Sequence, residues 1–128
     1  MTDTTTEKKK LILPMSERRP LKVDPEQWPV IASASDYDSQ HEFQANRKWL
    51  IKVRQHADGR AAVYGMYTTQ FQNERGLEGG FLLTSEEAQT LDLIRAIRRV
   101  AGIIERPELA SECVNDLPAE DMDSDSEA

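Results

Sequence analysis

The steadiest alternation of apolar and polar positions lies between Arg47 and Gln55, where Trp49, Ile51 and Val53 interleave with Lys48, Lys52 and Arg54. Successive side chains of a strand point to opposite faces, so this period of two marks a strand with one apolar and one charged face. Ala57-Asp58-Gly59 follows, a composition suited to a three-residue hairpin loop closed by glycine, and Ala61 to Thr69 supplies Val63, Tyr64, Met66 and Tyr67 for the returning strand. With His56 and Arg60 flanking the loop, the register pairs Val53 with Val63, Ile51 with Gly65 and Trp49 with Tyr67 on the apolar face. The other face then pairs Arg54 with Ala62, Lys52 with Tyr64 and Leu50 with Met66. A two-residue turn at Asp58-Gly59 is the alternative, and it slips the pairing by one residue and changes which aromatic ring is buried.

A second pattern has the period of a helix. Leu93, Ile97, Val100 and Ile104 recur at helical steps, Leu91, Ile94 and Ala101 widen the stripe, and Arg95, Arg98 and Arg99 take the other side. Thr84-Ser85-Glu86-Glu87 reads as a capping box, so one amphipathic helix is predicted from Thr84 to about Ile104, laid on one face of the hairpin sheet. Upstream, Asp24-Pro25-Glu26-Gln27 offers a cap acid, a first-turn proline and a capping glutamine. These predict a short helix before the hairpin, from Pro25 to about Ala34, limited by Pro29 and burying Trp28 and Ile31. Ser33 to Gln44 shows no steady period and reads as a loop, as does Gln70 to Gly80, which leads to a third strand at Gly80 to Leu83. Leu21 and Val23 suggest a short strand, and Leu11 to Leu13 an edge strand or anchor stopped by Pro14. Pro107 breaks the long helix, and Leu109 and Val114 are placed to dock a further turn or two. The expected fold class is α+β: a small antiparallel sheet of three or four strands with a long C-terminal amphipathic helix packed on one face and Trp49, Ile51, Val53, Ile94, Ile97 and Val100 in the core.

A chain of 128 residues, 38% hydrophobic, fits one core. Its expected organisation is a disordered stretch over residues 1–10, a single α+β domain over 11–104, a partly ordered extension over 105–117 and an acidic disordered tail over 118–128. The net charge of −7 is unevenly spread. Residues 18–104 carry twelve Lys and Arg against eleven Asp and Glu, whereas residues 105–128 carry nine acids against Arg106 alone. The acidic balance therefore describes the C-terminal segment and leaves room for a basic patch on the folded surface. No apolar run approaches the roughly 20 residues that span a bilayer and no secretory leader is recognisable, so a cytoplasmic protein with no membrane association is expected. The single cysteine, Cys113, excludes an intramolecular disulfide and reads as an incidental thiol.

Candidate chemistry is sparse. His41 and His56 fall in a polar loop and beside a hairpin turn; acid–base catalysis would require one of them turned into a pocket beside a carboxylate. Asp36, Asp38, His41 and Glu42 form the one local grouping with metal-ligand residue types, at a spacing that matches no calcium loop. Gly76, Gly79 and Gly80 precede a helix start as in phosphate loops, but no lysine accompanies them and Glu86 and Glu87 occupy the position of the anion. Ser85 lacks a nucleophile motif, while Ser124 and Ser126 sit among acids as phosphorylation candidates. No cofactor or metal is expected. The expected function is therefore non-enzymatic: a small accessory or regulatory protein of bacterial type that binds a protein partner. Lys52, Arg54, Arg60 and Tyr64 on the open face of the hairpin are the candidate binding residues. A homodimer through an exposed edge strand is a second possibility, and nucleic acid held by the same basic face is the alternative ligand.

Overall fold

Arg47–Gln55 and Ala61–Thr69 form the central hairpin of a four-stranded antiparallel meander in a computed structural model that describes residues 9–119. The polar stretch up to residue 8 and the acidic segment 120–128, including Ser124 and Ser126, lie outside the described residues. In chain order the strands are β1 (Leu11–Leu13), β2 (Leu21–Val23), β3 (Val30–Tyr37), β4 (Arg47–Gln55), β5 (Ala61–Thr69) and β6 (Leu77–Leu83); the helices are α1 (Leu91–Ile103) and α2 (Leu109–Asp116). The larger sheet runs β3-β4-β5-β6, and β1 pairs with β2 in a separate two-stranded sheet. The α+β class is as expected. The β4–β5 register is also the expected one, with Val53 opposite Val63, Ile51 opposite Gly65 and Lys52 opposite Tyr64. Gly59 closes the turn at φ 99°, a conformation that costs glycine nothing.

Three expectations are corrected. The helix predicted from Pro25 to Ala34 is a single turn: the Gln27 and Trp28 N–H groups both donate to the Asp24 carbonyl, after which Pro29, lacking an N–H, ends it. The chain then enters β3, so most of this segment, with the first part of the supposed loop over Ser33 to Gln44, is a strand. The helix predicted from Thr84 is divided. Its capping box forms, the Thr84 N–H donating to Glu87 Oε1 at 2.8 Å and the Glu87 N–H to Thr84 Oγ1 at 3.2 Å. It caps a 3-10 turn, however, and α1 starts afresh at Thr90, whose hydroxyl accepts the Asp92 N–H at 3.1 Å. Finally, the strand expected from Gly80 begins at Leu77, so Gly79 lies within β6 and not in a loop.

One face of the meander carries Ala32, Ala34, Ile51, Val53, Val63 and Leu83, which form a continuous buried cluster with Ile97, Val100 and Ala101 of α1 and Leu109, Ala110 and Cys113 of α2. Ile94, expected in this core, is half-buried and outside it. The other face is covered as well. Leu13 of β1, Val23 of β2 and Trp28 pack on Ala62 and Tyr64, with Leu11, Leu21, Met66 and Leu82 at the margin. Both sheet edges carry hydrogen bonds to groups outside the sheet ladder. On β3 the Ser33 N–H donates to Asp116 Oδ2 at 2.9 Å and the Tyr37 N–H to Asp36 Oδ1 at 2.8 Å. On β6 the Gly80 N–H donates to Ser16 Oγ at 3.1 Å, and the Ser16 N–H returns to the Gly80 carbonyl at 2.8 Å. Groups engaged in this way are withdrawn from pairing with another chain. Among the described residues no helix is long and apolar enough to cross a membrane.

Candidate functional site

The four candidate binding residues part company in the structure. Arg54 is only 9% exposed and Tyr64 only 2%, so neither lies on the open surface expected of it. Both project from the central hairpin toward the N-terminal layer, and Trp28 lies over them. The Arg54 Nε–H donates to the Tyr64 hydroxyl at 2.9 Å and an Nη–H donates to the Trp28 carbonyl at 2.8 Å. No carboxylate among the described residues lies within ion-pairing distance of Arg54. A buried cation balanced by neutral acceptors keeps most of its positive field, because little polarisable solvent surrounds it. Lys52, opposite Tyr64 on the same face, is half-buried.

Arg60 remains exposed, and the fold gives it neighbours that no local pattern announced. The turn joining β4 to β5 meets the β1–β2 hairpin across a cleft of about 390 Å³ whose wall includes Lys10, Arg18, Lys22, Trp28, His56 and Arg60. Asp24 is the one carboxylate in that wall. Among the described residues Lys10, Arg18 and Lys22 have no ion-pair partner, while Arg60 is held by Asp58, Nε to Oδ2 at 2.9 Å. The backbone N–H and guanidinium of Arg60 lower the Asp58 pKa below the usual carboxylate range. The Arg60 guanidinium also stands over the Trp28 ring at 5.1 Å, and the His56 ring tilts against the same indole at 5.1 Å. Trp28, 7% exposed, is thus held by both neighbours as a structural floor. Its rings are not offered for stacking.

His56 meets part of the condition for acid–base chemistry, since Asp58 Oδ1 lies 3.2 Å from its Nδ1. That nitrogen accepts the Asp58 backbone N–H at 3.1 Å, and no Ser, Thr or Cys lines the cleft. The grouping of Asp36, Asp38, His41 and Glu42 does not converge. Asp36 pairs with Arg106 at 2.7 Å, Asp38 with Arg47 at 3.7 Å, and Glu42 with Lys48 at 3.9 Å, while His41 stacks on Phe43. Among the described residues no group of three or more His, Cys, Asp or Glu side chains is placed to hold a metal.

A second cluster lies on the helix-covered face. Arg106 stands over Trp49 at 4.0 Å, Trp49 stacks on Tyr67 at 5.2 Å, and the Tyr67 hydroxyl donates to Glu74 at 2.7 Å. Glu74 also accepts from Thr69 and Arg47, and the Arg47 guanidinium, first among these donors, holds its pKa down to about 2. Every charge in this cluster is matched, so it braces the sheet end. The cleft is different in carrying cations that have no ion-pair partner among the described residues. Chemically, it can neutralise an anionic group that enters it. Comparisons of the chain with models of known families, with curated proteins and with solved structures each found no match.

Proposed function

We propose that this protein is a non-enzymatic binding module that captures an acidic segment of a partner protein in the cleft between its N-terminal hairpin and the β4–β5 turn. The observation that supports the reading is the convergence of Lys10, Arg18, Lys22 and Arg60, three of them without a described counter-ion, around Trp28, whose carbonyl accepts from the buried Arg54. Carboxylates brought there gain charge-assisted hydrogen bonds without displacing an existing pair, except at Arg60. The rigid floor helps: Trp28 is fixed by Arg54, His56 and Arg60, so little ordering entropy is lost on binding. An acidic peptide fits better than nucleic acid, because base recognition on single strands relies on accessible aromatic faces and the indole here is 7% exposed and covered.

The test is a fluorescence titration with a labelled poly-glutamate peptide and, separately, a labelled single-stranded oligonucleotide of the same charge. The protein is the full chain and a full chain with Glu120→Gln, Asp121→Asn, Asp123→Asn, Asp125→Asn and Glu127→Gln. The neutralised chain is expected to bind the peptide, and Lys22→Glu with Arg60→Glu to weaken it about tenfold, the ~1.4 kcal/mol that two reversed surface charges amount to. Peptide binding that ignores both reversals, or no binding at low salt, rejects the cleft. Binding of the oligonucleotide alone, with a steep salt dependence, replaces the protein partner by nucleic acid.

A further inference from the structure

The N-terminal layer covers part of its sheet face and leaves the rest open. Ala62 and Tyr64 lie beneath it, with Met66 and Leu82 at its margin, whereas Leu50 of β4 belongs to neither buried cluster. The register sets two cross-strand rows on the open part, Ser35 with Leu50 and Met66, and Tyr37 with Lys48 and Thr68. Both rows, with Glu42 of the 3-10 turn, line a hollow of about 140 Å³. Leu50, Met66 and Tyr37 are half-buried in its wall, and Ser35, opposite Leu50, is too short to cover it. Two cations flank this apolar floor, because Lys48 and Lys52 stand two residues to either side of Leu50 on the same face. Lys52 has no ion-pair partner among the described residues, and Lys48 meets Glu42 at 3.9 Å.

We infer that this hollow holds an aromatic side chain of the acidic partner segment, set between two carboxylates that pair with Lys48 and Lys52. The inference rests on the reading that the partner offers an acidic segment, and it adds a second contact to the cleft. Size supports the aromatic ring: an apolar cavity of about 150 Å³ takes one benzene. Charge and spacing support the flanking acids. Alternate residues of an extended segment face one way and recur about every 7 Å, the interval that separates Lys48, Leu50 and Lys52 along β4. A partner pattern of acid, any residue, aromatic, any residue, acid therefore falls into step with these three positions. A wholly apolar segment would cover the two lysines without pairing them, and a wholly acidic one would leave Leu50 and Met66 wet. The two contacts are also within one segment's reach. Leu50 is six residues before His56 of the cleft wall, at most about 21 Å away, so about eight extended residues span both.

The experiment titrates the neutralised chain described above, beside the full chain, with labelled poly-glutamate whose central residue is changed to Phe or to Ala. Methyl NMR of Leu50 and Met66 accompanies the affinities. The Phe peptide is expected to bind about tenfold tighter than the Ala peptide, as partial burial of one ring supplies, with ring-current shifts at both sets of methyls. Thr68→Trp, at an exposed strand position lining the hollow, fills it and is expected to abolish that advantage without changing Ala-peptide affinity; Leu50→Ala is expected to reduce it. Equal affinity of the two peptides, both weakened by Lys22→Glu with Arg60→Glu, overturns the hollow and leaves the proposed function standing. A Phe advantage that Thr68→Trp abolishes, in a peptide indifferent to the two cleft reversals, supports the hollow and overturns the cleft. A Phe advantage that survives both Thr68→Trp and Leu50→Ala places the ring elsewhere and overturns the inference.

Discussion

Glu105 is the one described non-glycine residue with positive φ, at 62°, and its position explains why. It follows Ile104, the last cap of α1, and the chain closes there with two bonds, Glu105 N–H to the Gly102 carbonyl at 3.1 Å and Arg106 N–H to the Ala101 carbonyl at 2.9 Å. That bond pair is a Schellman ending, whose left-handed position glycine fills without a Cβ clash. The strain is kept because the reversal delivers Arg106 to Asp36 and to the Trp49 ring. Glu105→Gly is expected to stabilise the protein by about 0.5–1 kcal/mol, the left-handed penalty less the entropy that glycine adds to the unfolded chain. Urea unfolding with an unchanged m-value would register it; a loss of stability would mean that the Glu105 side chain contributes more than its backbone costs.

The elements differ in how plainly the sequence announced them. The central hairpin was legible down to its register because Trp49, Ile51 and Val53 are large and alternate cleanly with charges. β3 was not, because its core-facing residues are Ala32 and Ala34 and its other face includes Ser33 and Ser35; small side chains carry almost no periodic signal. Small residues are needed there, since α2 packs closely on that strand. The same logic governs β5 and β6, where Gly65 and Gly79 pair beneath α1. A Cβ on Gly65 would come within 2.5 Å of Val100 Cγ1 and 2.9 Å of the Leu50 carbonyl. Gly65→Ala should therefore destabilise by about 1–3 kcal/mol through forced repacking of α1 on the sheet. The control Gly102→Ala, which meets nothing within 4 Å on the outer side of α1, should be neutral or stabilising by helix propensity. Equal effects in thermal melts would refute close helix–sheet contact at Gly65. The cleft was the least legible feature. Arg60 was recognisable as an exposed turn cation, but Lys10, Arg18 and Lys22 reach it through the packing of the N-terminal hairpin, a long-range contact that no local pattern encodes.

At the scale of the molecule, α2 lies in the segment 105–117, for which a partly ordered extension is expected, and yet it packs into the core. Its buried side chains Leu109, Ala110 and Cys113 share one cluster with Ile51, Ile97 and Val100, and Asp116 fastens its end to β3. A shared core implies a shared unfolding transition. Cys113 reports on this directly. Its thiol is free, fully buried and raised in pKa to about 11, first by desolvation and then by the nearby Asp116 charge. The unfolded thiol ionises near 9, so the group's stabilising effect is complete below that pH and is lost as pH rises from about 9 to 11. At pH 8 a disulfide reagent should therefore label Cys113 only through opening, because thiolate exchange needs an accessible sulfur. The opening free energy read from labelling rates should equal that from urea unfolding and fall with urea at the same m-value. A smaller, urea-insensitive value would show α2 undocking alone. That outcome would also break the bond by which Asp116 accepts the Ser33 N–H of β3.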